Sequence, residues 1–235
     1  IKKYYMKKNI LIIGGSSGIG LEIVRQINEE HNVYVASRTN ESLTQLKHKF
    51  LKIDISDQTI DSSLIPECLD GLVYCPGTIN LRPFRGIKPE TFIEDFNLNV
   101  MGAIKSIQAV LKNLNNSEHA SIVLFSTVAV QTGMPFHSSI AASKGAIEGL
   151  TRSLAAEFAP KISVNAIAPS IVDTPLSDKF LNNEAKMQRA VERHPLKKVG
   201  SPGDLASTAV FLLTNSSWIT GQVIGVDGGI GNLKI

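Results

Sequence analysis

Seven short apolar runs, separated for the most part by helix-length segments, leave few architectures open to this chain. Residues 9–13, 33–37, 50–53, 71–75, 121–125, 163–168 and 223–226 are rich in Ile, Val, Leu and Phe, and the first six are each followed by a stretch long enough for a helix. Strands that alternate with helices join through right-handed crossovers, which builds a parallel sheet with helices on both faces. The fold class is therefore α/β, a doubly wound and mainly parallel sheet of seven strands. Such a sheet needs apolar cover on both sides, and 43% hydrophobic against 19% charged residues supplies it. No repeat, low-complexity tract or Pro/Gly/Ser-rich linker divides the 235 residues, so 8–235 reads as one domain.

Several function classes fall away on composition. The net charge is only +3, and the lysines are scattered except for Lys2, Lys3, Lys7 and Lys8, which argues against a nucleic-acid partner. Cys68 and Cys75 are too few and too close for a disulfide framework, and without histidine companions they form no metal site; a reducing, cytoplasmic setting follows. No run approaches the roughly 20 apolar residues of a membrane span, and no signal-peptide core opens the chain. Met6 followed by Lys7 and Lys8 has the look of a natural start, so residues 1–5 read as an upstream extension and residues 1–7 as lying outside the domain.

The first apolar run leads into Gly14-Gly15-Ser16-Ser17-Gly18-Ile19-Gly20, and helical periodicity follows from Leu21. Glycine tolerates positive φ, lets backbone approach a pyrophosphate, and lets a helix pack closely on a strand. The helix start adds free N–H groups and a partial positive charge. A glycine turn at the first strand–helix junction of a doubly wound chain therefore points to a dinucleotide.

The spacing Gly14-x3-Gly18-x-Gly20 resembles the fingerprint of the short-chain dehydrogenase/reductase family, with Ile13 where the family has threonine. The resemblance covers residues 8–231 and includes Asp227-Gly228-Gly229 near the end. It implies a Rossmann fold that binds a nicotinamide dinucleotide through Gly14, Ser16, Ser17, Gly18, Ile19 and Gly20. The second strand ends in Ser37-Arg38, without the acid that would hold the ribose 2′-hydroxyl of NAD(H). A guanidinium suits the 2′-phosphate instead, so the cofactor is read as NADP(H) rather than NAD(H), although Arg38 read alone is a solvated loop residue. By the same resemblance Asp54 and Ile55 lie at the adenine, while Gly77, Lys144, Pro169, Val172 and Thr174 line the nicotinamide half. Asp54 equally fits a helix cap.

The family reduces carbonyls with an asparagine, a serine, a tyrosine and a lysine, the last two spaced Y-x-x-x-K. The lysine lowers the tyrosine pKa and holds the ribose, the tyrosine protonates the developing alkoxide, and the serine hydrogen-bonds the same oxygen. Here Asn99 and Lys144 match, and the serine position falls on Thr127, with Ser126 beside it. The tyrosine position holds Ile140, which has no proton to give. Further departures stand nearby, in Tyr74-Cys75-Pro76-Gly77 and Pro169-Ser170. Lys144, a water, Thr127, Ser126, Ser139 or His137 remain as proton sources, and Ser138 or Ser139 also suit a helix cap.

Two readings follow: an NADP(H)-dependent oxidoreductase acting on a small carbonyl or alcohol with a non-standard acid/base group, or a catalytically impaired NADP(H)-binding regulatory or sensor protein. A scaffold without cofactor leaves the glycines, Asp54 and Lys144 unexplained. Residues 169–194, with the charged run 182–193, read as a lid over the ligand crevice or as a plain surface hairpin. The small-residue face of 138–159 implies, with the resemblance, a homotetramer, or else a homodimer.

Overall fold

The computed structural model describes residues 7–234, so most of the proposed N-terminal extension lies outside the described residues. Seven strands form one sheet: β1 (Asn9–Ile13), β2 (Asn32–Ser37), β3 (Lys49–Lys52), β4 (Gly71–Tyr74), β5 (Ala120–Phe125), β6 (Ile162–Pro169) and β7 (Val223–Val226). Their spatial order is β3-β2-β1-β4-β5-β6-β7, and all six pairings are parallel. The order reverses between β1 and β4, and that is where an open α/β sheet offers a crevice beyond its strand ends.

The helices are α1 (Gly18–Ile27), α2 (Pro89–Phe96), α3 (Gly102–Asn115), α4 (Ala129–Thr132), α5 (Ser138–Phe158), α6 (Asp178–Leu181), α7 (Glu184–Arg193) and α8 (Pro202–Thr214). Alternate residues of the central strands feed two cores. Leu11, Leu72, Ile122 and Val164 pack on one side with Val110, Leu114 and Ile147, while Ile10, Ile12, Val73 and Val123 pack on the other with Ile23, Val24, Leu205 and Leu212. β4 and β5 are buried at every residue, which explains their continuous apolar composition.

One expectation needs correction. The segments after β2 and β3 are long enough for helices, yet each holds only a single 3-10 turn, at Glu41–Leu43 and Ser62–Leu64. Length was there but a helical stripe was not: Asp54, Asp57, Asp61 and Pro66 favour local turns, and Asp54 and Asp61 each accept hydrogen bonds from a residue two positions on.

Candidate active site

The turn between β1 and α1 is shaped by three glycines. Gly14 and Gly18 have φ of +76° and +52°, a region other residues avoid, and a Cβ on Gly20 would stand 2.4 Å from the Gly14 carbonyl oxygen. Ser17 is the N-cap of α1, but no side chain caps the helix. The first amides of α1 are thus left to a ligand at a helix end suited to anions. Ser16, Ser17 and Gly18 line a shallow crevice here with Arg25, Ser42 and Pro175. A pyrophosphate fits this cradle, since a Cβ would fill it and no carboxylate but Glu22 lines it.

Ser37 and Arg38 close the adjoining edge, because the Gly14 amide donates to Ala36 at the end of β2. Ser37 is buried, with its hydroxyl donating to the Thr39 carbonyl, while Arg38 is exposed. Asp54 is half-buried and accepts from the amide and hydroxyl of Ser56, bonds that hold its carboxyl below the usual carboxylate range. Its neighbour Ile55 turns into the core.

A second, more enclosed cavity of about 400 Å³ opens on the far side of Ile19. Its wall includes Gly77, Ser126, Thr127, Ile140, Lys144, Pro169, Val172 and Thr174, so the structure brings the residues read for the nicotinamide half and the hydroxyl candidates into one space. The charged side chains on that wall are Lys144, Lys186, Arg189 and Arg193, with His137 and His194 beside them and no carboxylate.

Asn99 stands behind this wall. The α2–α3 helix path is interrupted by a π-helical turn at Asn97–Met101, a feature that re-aims side chains at functional sites. Asn99 Nδ2 donates to the Asp95 carbonyl (2.7 Å) and to Thr78 Oγ1 (3.0 Å), whereas Oδ1 is buried without a partner. A Cβ on Gly77 would lie 3.1 Å from that oxygen and 3.5 Å from Lys144 Nζ, so the glycine keeps open the space on which the amide and the ammonium converge. Burial brings Lys144 down to about 8, against the pull of Cys75 and Asp95, and pushes the Cys75 thiol up to about 12.

The hydroxyls divide by their partners. Ser126 Oγ donates to buried Glu148 at 2.8 Å, which commits it to the core side, while Thr127 Oγ1 has only long contacts, donating to the Pro169 carbonyl and accepting from the Ala129 amide, each at 3.4 Å, and is the freer group. Ser139 caps nothing: His137 is the N-cap of α5, and the buried Ser139 hydroxyl donates to Asp95. Tyr74 OH donates to the Leu98 carbonyl, and burial raises its pKa, so it packs rather than titrates. Ile140 is 4% exposed and presents hydrocarbon to the cavity.

Sequence reasoning missed Asp95, a buried carboxylate that accepts from Thr78, Asn80 and Ser139 and ties the loop after β4 to α2 and α5. It also missed His194, fully enclosed in the cavity wall and bonded to Ser170. A polar residue inside the apolar repeat of α2 was the available signal for the first, and Ser170 after Pro169 for the second.

Comparison with known proteins agrees with this geometry. Residues 14–231 match a family model described as enoyl-(acyl carrier protein) reductase. A tropinone reductase homolog from Datura stramonium is 33% identical over 241 residues, covering 93% of this chain and 90% of its own. A 3-oxoacyl-(acyl-carrier-protein) reductase from Rickettsia prowazekii (strain Madrid E) is 29% identical over 234 residues, covering 95% and 96%. Among solved structures, ElxO with NADP bound is similar at a TM-score of 0.87 and 28% identity, covering 96% of this chain and 99% of that one.

Proposed function

The chain belongs to the short-chain dehydrogenase/reductase family, and from that premise we propose that it is an NADP(H)-dependent oxidoreductase acting on a small carbonyl or alcohol with an acid/base group other than tyrosine. The observation that carries the proposal is the pairing of an open glycine cradle with a cavity where Lys144 Nζ and the unpartnered Asn99 Oδ1 converge on Gly77. Relatives named as reductases, and a structural neighbour solved with NADP, support it.

In this reading Gly14, Ser16, Ser17, Gly18, Ile19 and Gly20 hold the pyrophosphate, Arg38 with Ser37 meets the 2′-phosphate, and Asp54 with the backbone of Ile55 flanks the adenine. Gly77, Pro169, Val172 and Thr174 surround the nicotinamide half, and Lys144 holds its ribose. The bound cofactor supplies or accepts a hydride. Thr127 polarises the carbonyl oxygen, and Asn99 fixes the floor on which Lys144 rests. Lys144, at about 8, can also give up a proton near neutral pH.

Among the described residues no helix is long and apolar enough to cross a membrane. We further propose a cytoplasmic homotetramer, or a dimer, meeting through α5, where a Cβ on Gly149 would touch nothing within 4 Å. Light scattering that returned a monomer would overturn that part.

One observation favours the second reading, an NADP(H)-binding regulatory protein: Ile140 cannot donate a proton. Mixing the NADPH-loaded protein with aldehydes, ketones and enones in a single turnover separates the two. Loss of dihydronicotinamide absorbance is expected; tight NADPH binding with constant absorbance across the panel would leave only the regulatory reading.

A further inference from the structure

Ser170 and His194 form a hydrogen-bonded pair in the cavity wall. His194 is 3% exposed; its Nδ1 lies 2.6 Å from the Ala190 carbonyl oxygen and its Nε2 lies 2.9 Å from Ser170 Oγ. A carbonyl only accepts, so Nδ1 carries the proton. The Nε2 of the neutral ring is then an acceptor, and the Ser170 hydroxyl donates to it. The ring is clamped, since a Cβ on Gly228 would come within 3.2 Å of His194 Cδ2. A hydroxyl bonded to an imidazole whose other nitrogen is oriented by a third group is the arrangement that moves protons to and from a hydroxyl.

Its position matters as much as its bonding. Thr127 Oγ1 contacts the carbonyl oxygen of Pro169 at 3.4 Å and the Val128 amide donates to the same oxygen at 3.0 Å, so Ser170, the next residue, stands beside Thr127. Ser170, Thr127, Ile140 and Lys144 all face one cavity.

We propose that Ser170 and His194 are the proton relay of this site, standing in for the tyrosine that Ile140 lacks. The proposal rests on the oxidoreductase reading above. In the oxidation direction the substrate alcohol's O–H bond breaks and its proton passes to Ser170 Oγ, as the Ser170 proton passes to His194 Nε2. The carbinol carbon loses a hydride and is oxidised, and the oxidised nicotinamide is reduced. Carbonyl reduction runs the same path backward after the neutral ring takes up a solvent proton: the imidazolium gives its Nε2 proton to Ser170, Ser170 gives its own to the oxygen, and a hydride from the dihydronicotinamide reaches the carbon. The ring is then neutral again.

The test uses the whole chain with NADPH and two kinds of readout. Single-turnover oxidation of bound NADPH by an activated ketone should slow at least about 100-fold in both Ser170→Ala and His194→Gln, with the double variant no slower than either, because the two groups act as one unit. NADPH affinity, read by fluorescence titration, should not change. Nitrogen NMR of the imidazole, in protein without substrate, should show His194 protonated at Nδ1 and bare at Nε2, with the Nε2 signal moving in Ser170→Ala. An active wild type whose two variants keep its rate overturns the relay alone, as does a neutral ring whose single proton sits on Nε2. A wild type that binds NADPH but reduces no carbonyl overturns the oxidoreductase reading itself.

Discussion

At the β1–α1 turn the surface offered to a ligand is almost wholly backbone, the positive-φ glycines and the uncapped amides of α1. Around Lys144, about one cavity away, it is side chains: an ammonium, an amide with a free oxygen, a threonine, and a serine tied to a histidine. The two regions differ in how they can change. A backbone cradle depends on steric space that a single methyl removes, so its glycines are all or nothing. A side-chain site can lose or exchange one group while the rest stays in place, and in the function proposed above Ile140 stands where the family's proton donor would be while Lys144 remains.

The largest expected effect tests the first half of that contrast. Gly20→Ala places a methyl 2.4 Å from the Gly14 carbonyl, so the turn must open. NADPH affinity should fall at least about 100-fold, or nearly 3 kcal/mol, with the helical content seen by circular dichroism retained. Affinity left intact would mean that the cradle is not where the pyrophosphate lies. Arg38→Ala should act more narrowly. Loss of a charge-assisted phosphate contact is worth about 1.5–3 kcal/mol, so the preference for NADPH over NADH should drop by at least about tenfold while NADH binding holds. Equal affinity for both cofactors in the unaltered protein would show that the adenosine end is less specialised than its serine–arginine pair suggests.

The other half is tested by restoring what is missing. Ile140→Tyr puts a phenol one helical turn before Lys144, facing the cavity, and should raise ketone reduction by at least about tenfold without changing NADPH affinity. No gain in a folded, NADPH-binding variant would mean that Thr127 and Asn99 no longer hold their family roles. The smallest effect concerns stability. Lys144 ordinarily titrates at 10.5 and is held at about 8 by burial. Between those values the unfolded chain binds the proton and the folded one does not, so stability rises with pH through that window, and below it the folded state carries the full burial penalty. Lys144→Met should therefore be more stable than the parent by about 1–3 kcal/mol at pH 7, a lead that thermal melts should see vanish by about pH 10.5.

The same contrast decides what could be read from the letters alone. Asn9–Ile13 and Val223–Val226 agree with the observed strands to the residue, and the glycine turn falls at its strand–helix junction, because those features are local: β-branched runs and φ-demanding glycines act within a few positions. The parallel pairing followed from the alternation of strands and helices, whereas the strand order did not. The helices expected after β2 and β3 failed because length was read where periodicity was absent. The pair Ser170 and His194 lies 24 residues apart with no motif between, and only the fold closes that distance. Asn99 could be placed by its resemblance, but its unpartnered oxygen arises from a π-helical turn that no spacing announces.

The cationic wall of the cavity around Lys144 has a kinetic side. Lys186, Arg189 and Arg193 sit three and four residues apart on α7, so they project from one face, and that face looks into an apolar space that no carboxylate shares. Low-dielectric walls bearing one sign of charge focus field lines toward the opening, which raises the encounter frequency of anions over neutral molecules of the same shape. That advantage is spent within a Debye length, about 8 Å at physiological ionic strength, and weakens as salt is added. How fast this cavity fills, as distinct from how tightly it holds, is therefore set by the medium as well as by the protein.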